Sequence, residues 1–290
     1  MDYRAKFKAV LLHLRFPFSL MLLPVYLFAL SNAHFINNTY AVVVFVILHL
    51  FVYPASNGYN SYFDKDEGSI ALIKTPPKVN KYVYYTAIFL EWFAVLIALY
   101  VSLPFAICVL LYNFISKAYS HPSIRLKKYP IISFLVVFVF QGGFIYLSCI
   151  FAVSNFFMLF SNADFLAALI CSCLIGASYP LTQVYQHDED RKRGDQTLSL
   201  LLGIKGSFIF SGAVFFLGII LMFIYWHNQN YLFNFWIFLL CCLPIVFYFT
   251  NWFIKVIKTP SAANFKNTMN MTFISSGVML IYFTWLLLKH

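Results

Sequence analysis

The chain has 290 residues, of which 62% are hydrophobic and only 10% are charged, and its formal net charge is +10. Its mean hydropathy of +0.78, with repeated apolar runs near the length of about 20 residues that a helix needs to cross a bilayer, indicates an integral membrane protein. The positive charge lies in short loops between these runs, which excludes a soluble basic domain for binding nucleic acid.

Nine apolar runs are predicted to be membrane-spanning helices, so the expected fold class is an all-α polytopic membrane protein. The runs cover residues 16–31, 40–56, 82–101, 104–119, 131–153, 164–184, 206–226, 232–254 and 271–288. The 35 Phe and 20 Tyr residues are more than interfacial belts need. Many of these rings are therefore expected to line the helix bundle or a cavity within it.

The loops alternate in charge along the chain. Lys and Arg lie before the first run and in every second loop, whereas the intervening stretches "SNAHFINNTY" and "WHNQNY" contain neither. This is the positive-inside pattern. We therefore expect a protein of the cell inner (plasma) membrane whose N-terminus and charged loops are cytoplasmic and whose C-terminus is outside.

The order of the loops shows a weak internal repeat. Acidic clusters follow spans 2 and 6, and basic loops follow spans 4 and 8, as though a four-span unit were used twice and a ninth span were added. Chance spacing among helices of similar size is the alternative. We expect residues 1–290 to form a single transmembrane domain, and a duplicated topology would make the two acidic loops face each other across a central cavity.

Two clusters of acidic side chains between the spans hold six of the ten acidic residues. They lie in "NSYFDKDEG" at 60–68 and "HDEDRKRGD" at 187–195, and their members are Asp64, Asp66, Glu67, Asp188, Glu189 and Asp190; Asp195 ends the second stretch outside the cluster. Clustered carboxylates repel one another unless a cation neutralises them, and Mg²⁺ is typically held by one or two carboxylates plus substrate phosphate. With the flanking Arg and Lys, the two clusters suit a Mg²⁺-bound diphosphate. The alternative is a pair of solvated loops.

Spacing within the clusters predicts which side chains lie together. Asn60 and Asp64 are four residues apart, as are Gln186 and Asp190, with Asp188 between the second pair. Residues at this spacing share one face if the helix continues into the loop.

These stretches resemble the motifs of the UbiA superfamily of intramembrane prenyltransferases. "NSYFDKDEG" is similar to the N-x-x-x-D-x-x-x-D motif, and "DEDRKRGDQT" to the D-x-D-R-x-x-G-x-x-T motif. "YSHPSIRLKKYP" at 119–130 resembles the Y-S-x-P-x-R-L-K-x-x-P loop, and "LRFPFS" at 14–19 resembles the R-x-P-x-S start of the first helix. The motifs occur in the family's order over most of the chain, and nine helices around a central cavity is the family's architecture.

The resemblance implies a prenyltransferase that moves a polyprenyl group from polyprenyl diphosphate to a small-molecule acceptor in the lipid bilayer, with Mg²⁺ as cofactor. The expected acceptor is an aromatic quinone precursor. A lipid, a sugar phosphate or a tetrapyrrole is an alternative acceptor, and a non-enzymatic membrane transporter is an alternative function. A transporter would more often bury its acids at the midplane of the membrane.

The resemblance also implies roles for individual residues. The implied metal ligands are Asp64, Asp66, Glu67, Asp188 and Asp190. The implied diphosphate-binding residues are Asn60, Arg125, Lys127 and Arg191, and the implied catalytic residues are Asp64, Asp190 and Tyr119. The chain departs from the family's motifs at Gly68, where the family has an acid, and at Gln186, where many members have Asp. Asp66 or Glu67 is expected to supply the missing acid, and Asp66 is favoured.

Three residues inside the spans carry separate expectations. Glu91 lies near the middle of span 3, where an ionisable group is costly, so it is either part of the acceptor site or a structural hydrogen-bonding group. Gly142 and Gly143 in span 5 are expected to permit close helix packing rather than to contact substrate.

Overall fold

The computed structural model describes residues 3–154 and 160–289. Within these ranges nine helices are long and apolar enough to cross a membrane, which confirms the predicted all-α class and the number of spans. Spans 1 to 9 are Tyr3–Asn32, Asn38–Asp64, Lys81–Val101, Leu103–Ser120, Pro130–Val153, Asn162–Gln183, Leu198–Asn228, Leu232–Lys258 and Phe265–Lys289. A short helix between spans 6 and 7, His187–Arg193, is called the loop helix.

Span 1 begins earlier than its apolar run, because its first half is a polar helix, Tyr3–Leu14, that buries one face. On that face His13 contacts the backbone oxygen of Pro77 at 2.8 Å. Arg15 then adopts a left-handed conformation with φ 49°, and the apolar part of the span follows from Phe16 with Pro17 in its first turn. A hydropathy window detects only this second part. The left-handed conformation of Arg15 separates the two parts of the span and leaves Arg15 between them.

Span 2 continues into the first acidic stretch, which is the condition under which Asn60 and Asp64 share a helix face. The helix ends at Asp64, and Lys65 follows in a left-handed conformation with φ 50°. Asn60 and Asp64 therefore share one helix face, while Asp66 and Glu67 belong to the loop beyond the helix end.

The loops that follow spans 2, 4 and 6 meet at one end of the bundle, which we call the polar end. Arg193 of the loop helix contacts Asp66 of the first acidic loop, and Arg125 of the loop after span 4 contacts Asp195. Successive antiparallel spans return every second loop to the same end, so the two acidic loops that are distant in sequence become neighbours.

Gly142 lies where spans 5 and 6 touch. A Cβ atom added to Gly142 would lie 2.7 Å from the backbone nitrogen of Ser172. The Gly143 N–H donates a hydrogen bond to Ser172 Oγ at 2.9 Å. These contacts support the packing role expected for the glycine pair, because only a residue without a side chain allows this approach.

We expect Gly142→Ala to lower the thermal unfolding temperature in detergent, because overpacking of this kind typically costs about 1–3 kcal/mol. Gly277→Ala in span 9 is the matched control, since a Cβ there meets nothing within 4 Å, and it should keep or raise that temperature. Equal unfolding temperatures for Gly142→Ala and the parent would contradict the close contact.

Candidate active site

A cavity of about 620 Å³ lies inside the bundle and is lined by every span except span 3. Acidic and basic side chains line it at the polar end, and aromatic, aliphatic and hydroxyl side chains line the remainder. The volume is within the range of about 300–1,000 Å³ that is typical of small-molecule sites. An ionic group and an apolar group of one ligand can therefore be held in the same cavity.

The acids of the first loop are paired with cations from two other loops. Asp64, whose side chain is 6% exposed, contacts the Lys127 ammonium and lies 3.7 Å from Arg125 Nη2. Asp66, with 7% of its side chain exposed, contacts the Arg193 guanidinium. Buried carboxylates need such partners because water cannot neutralise them.

Arg193 joins the two acidic loops. Besides contacting Asp66, its Nη2 donates to Asp190 Oδ1 at 2.8 Å, three residues earlier on the loop helix. Thr197 Oγ1 donates to the other Asp190 oxygen at 3.3 Å. Burial raises the pKa of the Asp190 carboxyl above its usual range, and the neighbouring Arg193 partly offsets that rise. Burial opposes the charge of Arg193 too, but Asp66 and Asp64 outweigh it and raise the pKa of the guanidinium.

Asp195 is a residue of this network that the motif comparison did not single out. Arg125 Nε and Nη2 donate to its two carboxylate oxygens at 2.7 and 2.8 Å, and Arg193 Nε lies 3.6 Å away. Gly194, with φ 74°, ends the loop helix and turns the chain so that Asp195 points back into the cavity wall. An acid directly after a helix-ending glycine was the available sequence signal.

Uncharged polar groups complete the polar end of the cavity. Asn60 Nδ2 donates to Ser120 Oγ at 2.9 Å, and the hydroxyls of Tyr119 and Tyr179 are 2.8 Å apart. Gln186 Nε2 donates to the backbone oxygen of Ser69 at 3.3 Å, which ties the two acidic loops together.

Arg15 is also part of the cavity wall, and it is only 9% exposed. Its Nη2 donates to the backbone oxygen of Asn57 at 3.2 Å, while its Nε has no hydrogen-bond partner within the described residues. The side chain is therefore a buried cation with donor capacity left for a ligand.

The structure brings together some of the predicted site residues and separates others. Those that line the cavity are Asn60, Asp64, Asp66, Tyr119, Lys127 and Asp190. Arg125 is placed behind the wall and reaches the site through Asp195 and Asp64. Glu67 is exposed and outside the wall, and Asp188 and Arg191 pair with each other at 3.1 Å on the outer face of the loop helix, with 91% and 63% of their side chains exposed.

We expect Asp66→Asn to lower turnover by about 10- to 100-fold, the usual range for groups that support a metal site, and Glu67→Gln to lower it far less. The reason is that the Asp66 carboxylate lies in the cavity wall against Arg193, whereas Glu67 is exposed. Steady-state rates of both purified variants check this. A larger loss of turnover for Glu67→Gln would show that Glu67, and not Asp66, is the functional acid of this loop.

Glu91 lies outside the cavity wall. Its carboxylate forms an ion pair with Lys117 Nζ at 2.6 Å, and Asn113 Nδ2 donates to its backbone oxygen at 3.3 Å. These contacts join spans 3 and 4 and support the structural alternative for Glu91.

The donor atoms of the site fit one mode of Mg²⁺ binding, in which substrate supplies part of the coordination. In residues 3–154 and 160–289 no three His, Cys, Asp or Glu side chains are close enough together to enclose an ion. Instead, single carboxylates from two loops face one cavity. Mg²⁺ keeps several waters and is usually held by one or two carboxylates together with substrate phosphate oxygens, which this arrangement allows.

Two apolar residues of the cavity lining are also exposed. Phe216 of span 7 and Val246 of span 8 both line the cavity, and they are 63% and 46% exposed.

The protein is an all-α membrane bundle in which acidic and basic loops meet over an apolar cavity. This arrangement is typical of an intramembrane site for an anionic ligand with an apolar part. The model of the UbiA prenyltransferase family matches residues 21–276. The chain belongs to the UbiA prenyltransferase family, which confirms the resemblance of the motifs and makes the protein a prenyltransferase by class. A comparison with curated proteins found no match.

Solved structures share the fold over nearly the whole chain. A UbiA homologue from Archaeoglobus fulgidus bound to GPP and Mg²⁺ is 16% identical, with 96% of this chain and 99% of that chain covered and a TM-score of 0.68. The same homologue bound to DMAPP and Mg²⁺ is 15% identical, with 97% and 99% covered and a TM-score of 0.67. A digeranylgeranylglyceryl phosphate synthase is 17% identical, with 98% of each chain covered and a TM-score of 0.61.

Proposed function

We propose that this protein catalyses the Mg²⁺-dependent transfer of a prenyl group from a polyprenyl diphosphate to an aromatic acceptor of the quinone-precursor type. The observation that carries the proposal is the network of carboxylates and cations from three loops at the polar end of an apolar cavity. The solved homologues that are bound to GPP or DMAPP with Mg²⁺ support the donor class and the cofactor.

The charges of the site explain why the donor requires a metal. Four carboxylates, Asp64, Asp66, Asp190 and Asp195, and four cations, Arg15, Arg125, Lys127 and Arg193, balance formally. A diphosphate that enters a balanced site adds several negative charges in a low-dielectric surrounding, which is unfavourable without further positive charge. Mg²⁺ held at this end of the cavity would supply this charge and would stabilise the departing diphosphate.

The residues of this chain have separate tasks in the reaction. Asp64 and Asp190 would hold Mg²⁺ at the polar end, and Lys127, Arg193 and Arg15 would donate to the oxygens of the diphosphate. The allylic C–O bond breaks, and the diphosphate leaves with the electron pair. The allylic carbon becomes carbocation-like, and electron-rich ring faces such as that of Tyr119 stabilise it in a cavity that excludes water.

The acceptor then completes the transfer. Its nucleophilic carbon attacks the allylic carbon to form the new C–C bond, and the proton released from that carbon passes to the diphosphate. The paired hydroxyls of Tyr119 and Tyr179 are available to orient an aromatic acceptor through hydrogen bonds. The aromatic and hydroxyl lining of the cavity favours such a ring over a strongly anionic acceptor.

The exposed lining residues Phe216 and Val246 suit the tail of the donor. A polyprenyl chain longer than the cavity would pass between Phe216 and Val246 into the bilayer. By the positive-inside rule, the basic loops at the polar end support a site at the cytoplasmic face of the plasma membrane.

A direct assay tests the proposal. Purified protein is incubated with Mg²⁺, a radiolabelled polyprenyl diphosphate and either a hydroxylated aromatic acid or glycerol phosphate, and released diphosphate and labelled product are measured. We expect product with the aromatic acceptor, and no product when excess chelator is present. Product formed only with glycerol phosphate would overturn the acceptor class, and unchanged activity in chelator would overturn the role of the metal.

A further inference from the structure

A carboxylate from the second acidic loop occupies the space beside Gly68 in the first. A Cβ atom built on Gly68 would meet the carboxylate of Glu189, with the Glu189 Cδ atom 2.9 Å away. Gly68 is the position at which the first motif lacks its final acid, so a carboxylate is present there although residue 68 has no side chain.

The second oxygen of Glu189 is left for a ligand. Its Oε2 atom is buried and has no hydrogen-bond partner within the described residues. A buried anionic oxygen without a donor is costly, and a cation held between the two loops would remove that cost.

We infer that Glu189 supplies, from the second loop, the metal-binding carboxylate that the first motif lacks at Gly68. This inference rests on the proposed Mg²⁺-dependent function. Its consequence is that the glycine at 68 and the glutamate at 189 form a matched pair: an acid at 68 would collide with Glu189, and a glycine at both positions would leave the site one carboxylate short.

Binding of Mn²⁺, followed by electron paramagnetic resonance, tests this pair without relying on turnover. The purified protein is titrated with Mn²⁺ in the presence of a prenyl thiodiphosphate that reacts slowly. We expect Glu189→Gln to weaken Mn²⁺ binding by about 10-fold or more, because the amide keeps the size of the side chain but removes its charge. Lys192→Gln, on the exposed side of the same loop helix, is the control and should bind Mn²⁺ like the parent.

An exchange of the two residues separates a metal ligand from a packing group. Gly68→Asp alone should weaken Mn²⁺ binding, whereas the double variant Gly68→Asp with Glu189→Gly should recover most of the parental affinity. If the parent binds no Mn²⁺ with the thiodiphosphate, the proposed function fails and this inference fails with it. If the parent binds Mn²⁺ and Asp64→Asn weakens that binding while Glu189→Gln does not, only the assignment of Glu189 is overturned.

Discussion

Asp64→Asn and Asp190→Asn are each expected to lower turnover by at least about 10²-fold, because each keeps the size of the side chain and removes one anionic ligand of the metal–diphosphate. Both carboxylates lie in the cavity wall, one at the end of span 2 and the other on the loop helix. Steady-state kinetics on purified protein measure the loss, and the unfolding temperature in detergent should fall less than in Arg193→Gln, because Asn keeps an oxygen that can accept from the same cation.

Lys74→Gln is the control for this pair. Lys74 belongs to the first charged loop but is exposed and outside the cavity wall, so its loss should change only surface electrostatics. The paired-acid site would be wrong if both aspartate variants kept parental turnover while Lys74→Gln did not.

Arg193→Gln is expected to lower both turnover, by about 10²-fold or more, and the unfolding temperature. Arg193 contacts Asp66, Asp190 and Asp195, so its removal leaves three buried carboxylates with fewer partners. Removing one member of a buried charged pair is strongly destabilising because the other charge stays uncompensated. The two readouts together distinguish this residue from Asp64, whose substitution by Asn should affect turnover far more than stability.

Two further variants define what Arg193 contributes. Arg193→Lys keeps the charge but loses the planar fork, so it should recover stability only in part, since one ammonium group cannot reach carboxylates on both loops. Lys192→Gln, the exposed neighbour, should leave both readouts unchanged. Parental stability and turnover in Arg193→Gln would contradict its place at the centre of the network.

Much of the fold was predictable from the order of apolar and charged residues along the chain. In a bilayer each spanning helix must satisfy its own backbone hydrogen bonds, so apolar length alone indicates the spans, and residues 3–154 and 160–289 contain the nine expected. Because successive helices alternate in direction, every second loop returns to one end, which predicted that the two acidic loops share the same end of the bundle. The helical spacing also placed Asn60 and Asp64 together at the cavity, since span 2 runs on to Asp64.

Which acid of each cluster faces the cavity depended on backbone turns that spacing does not reveal. Consecutive residues of a helix point about 100° apart, so the loop helix turns Asp190 inward and Asp188 outward although both fit the same motif. Beyond the end of span 2, the left-handed Lys65 directs the chain so that Asp66 reaches the site and Glu67 does not.

The partners of the acids were the least accessible to sequence analysis, because they depend on contacts between segments that are far apart along the chain. Arg125 holds Asp195, which lies 70 residues away, and Arg193 holds Asp66, which lies 127 residues away. The carboxylate of Glu189 fills the space beside Gly68 only because the two loops pack against each other. A sequence motif specifies which charges are present, whereas their pairing is set by the packing of the spans that carry them.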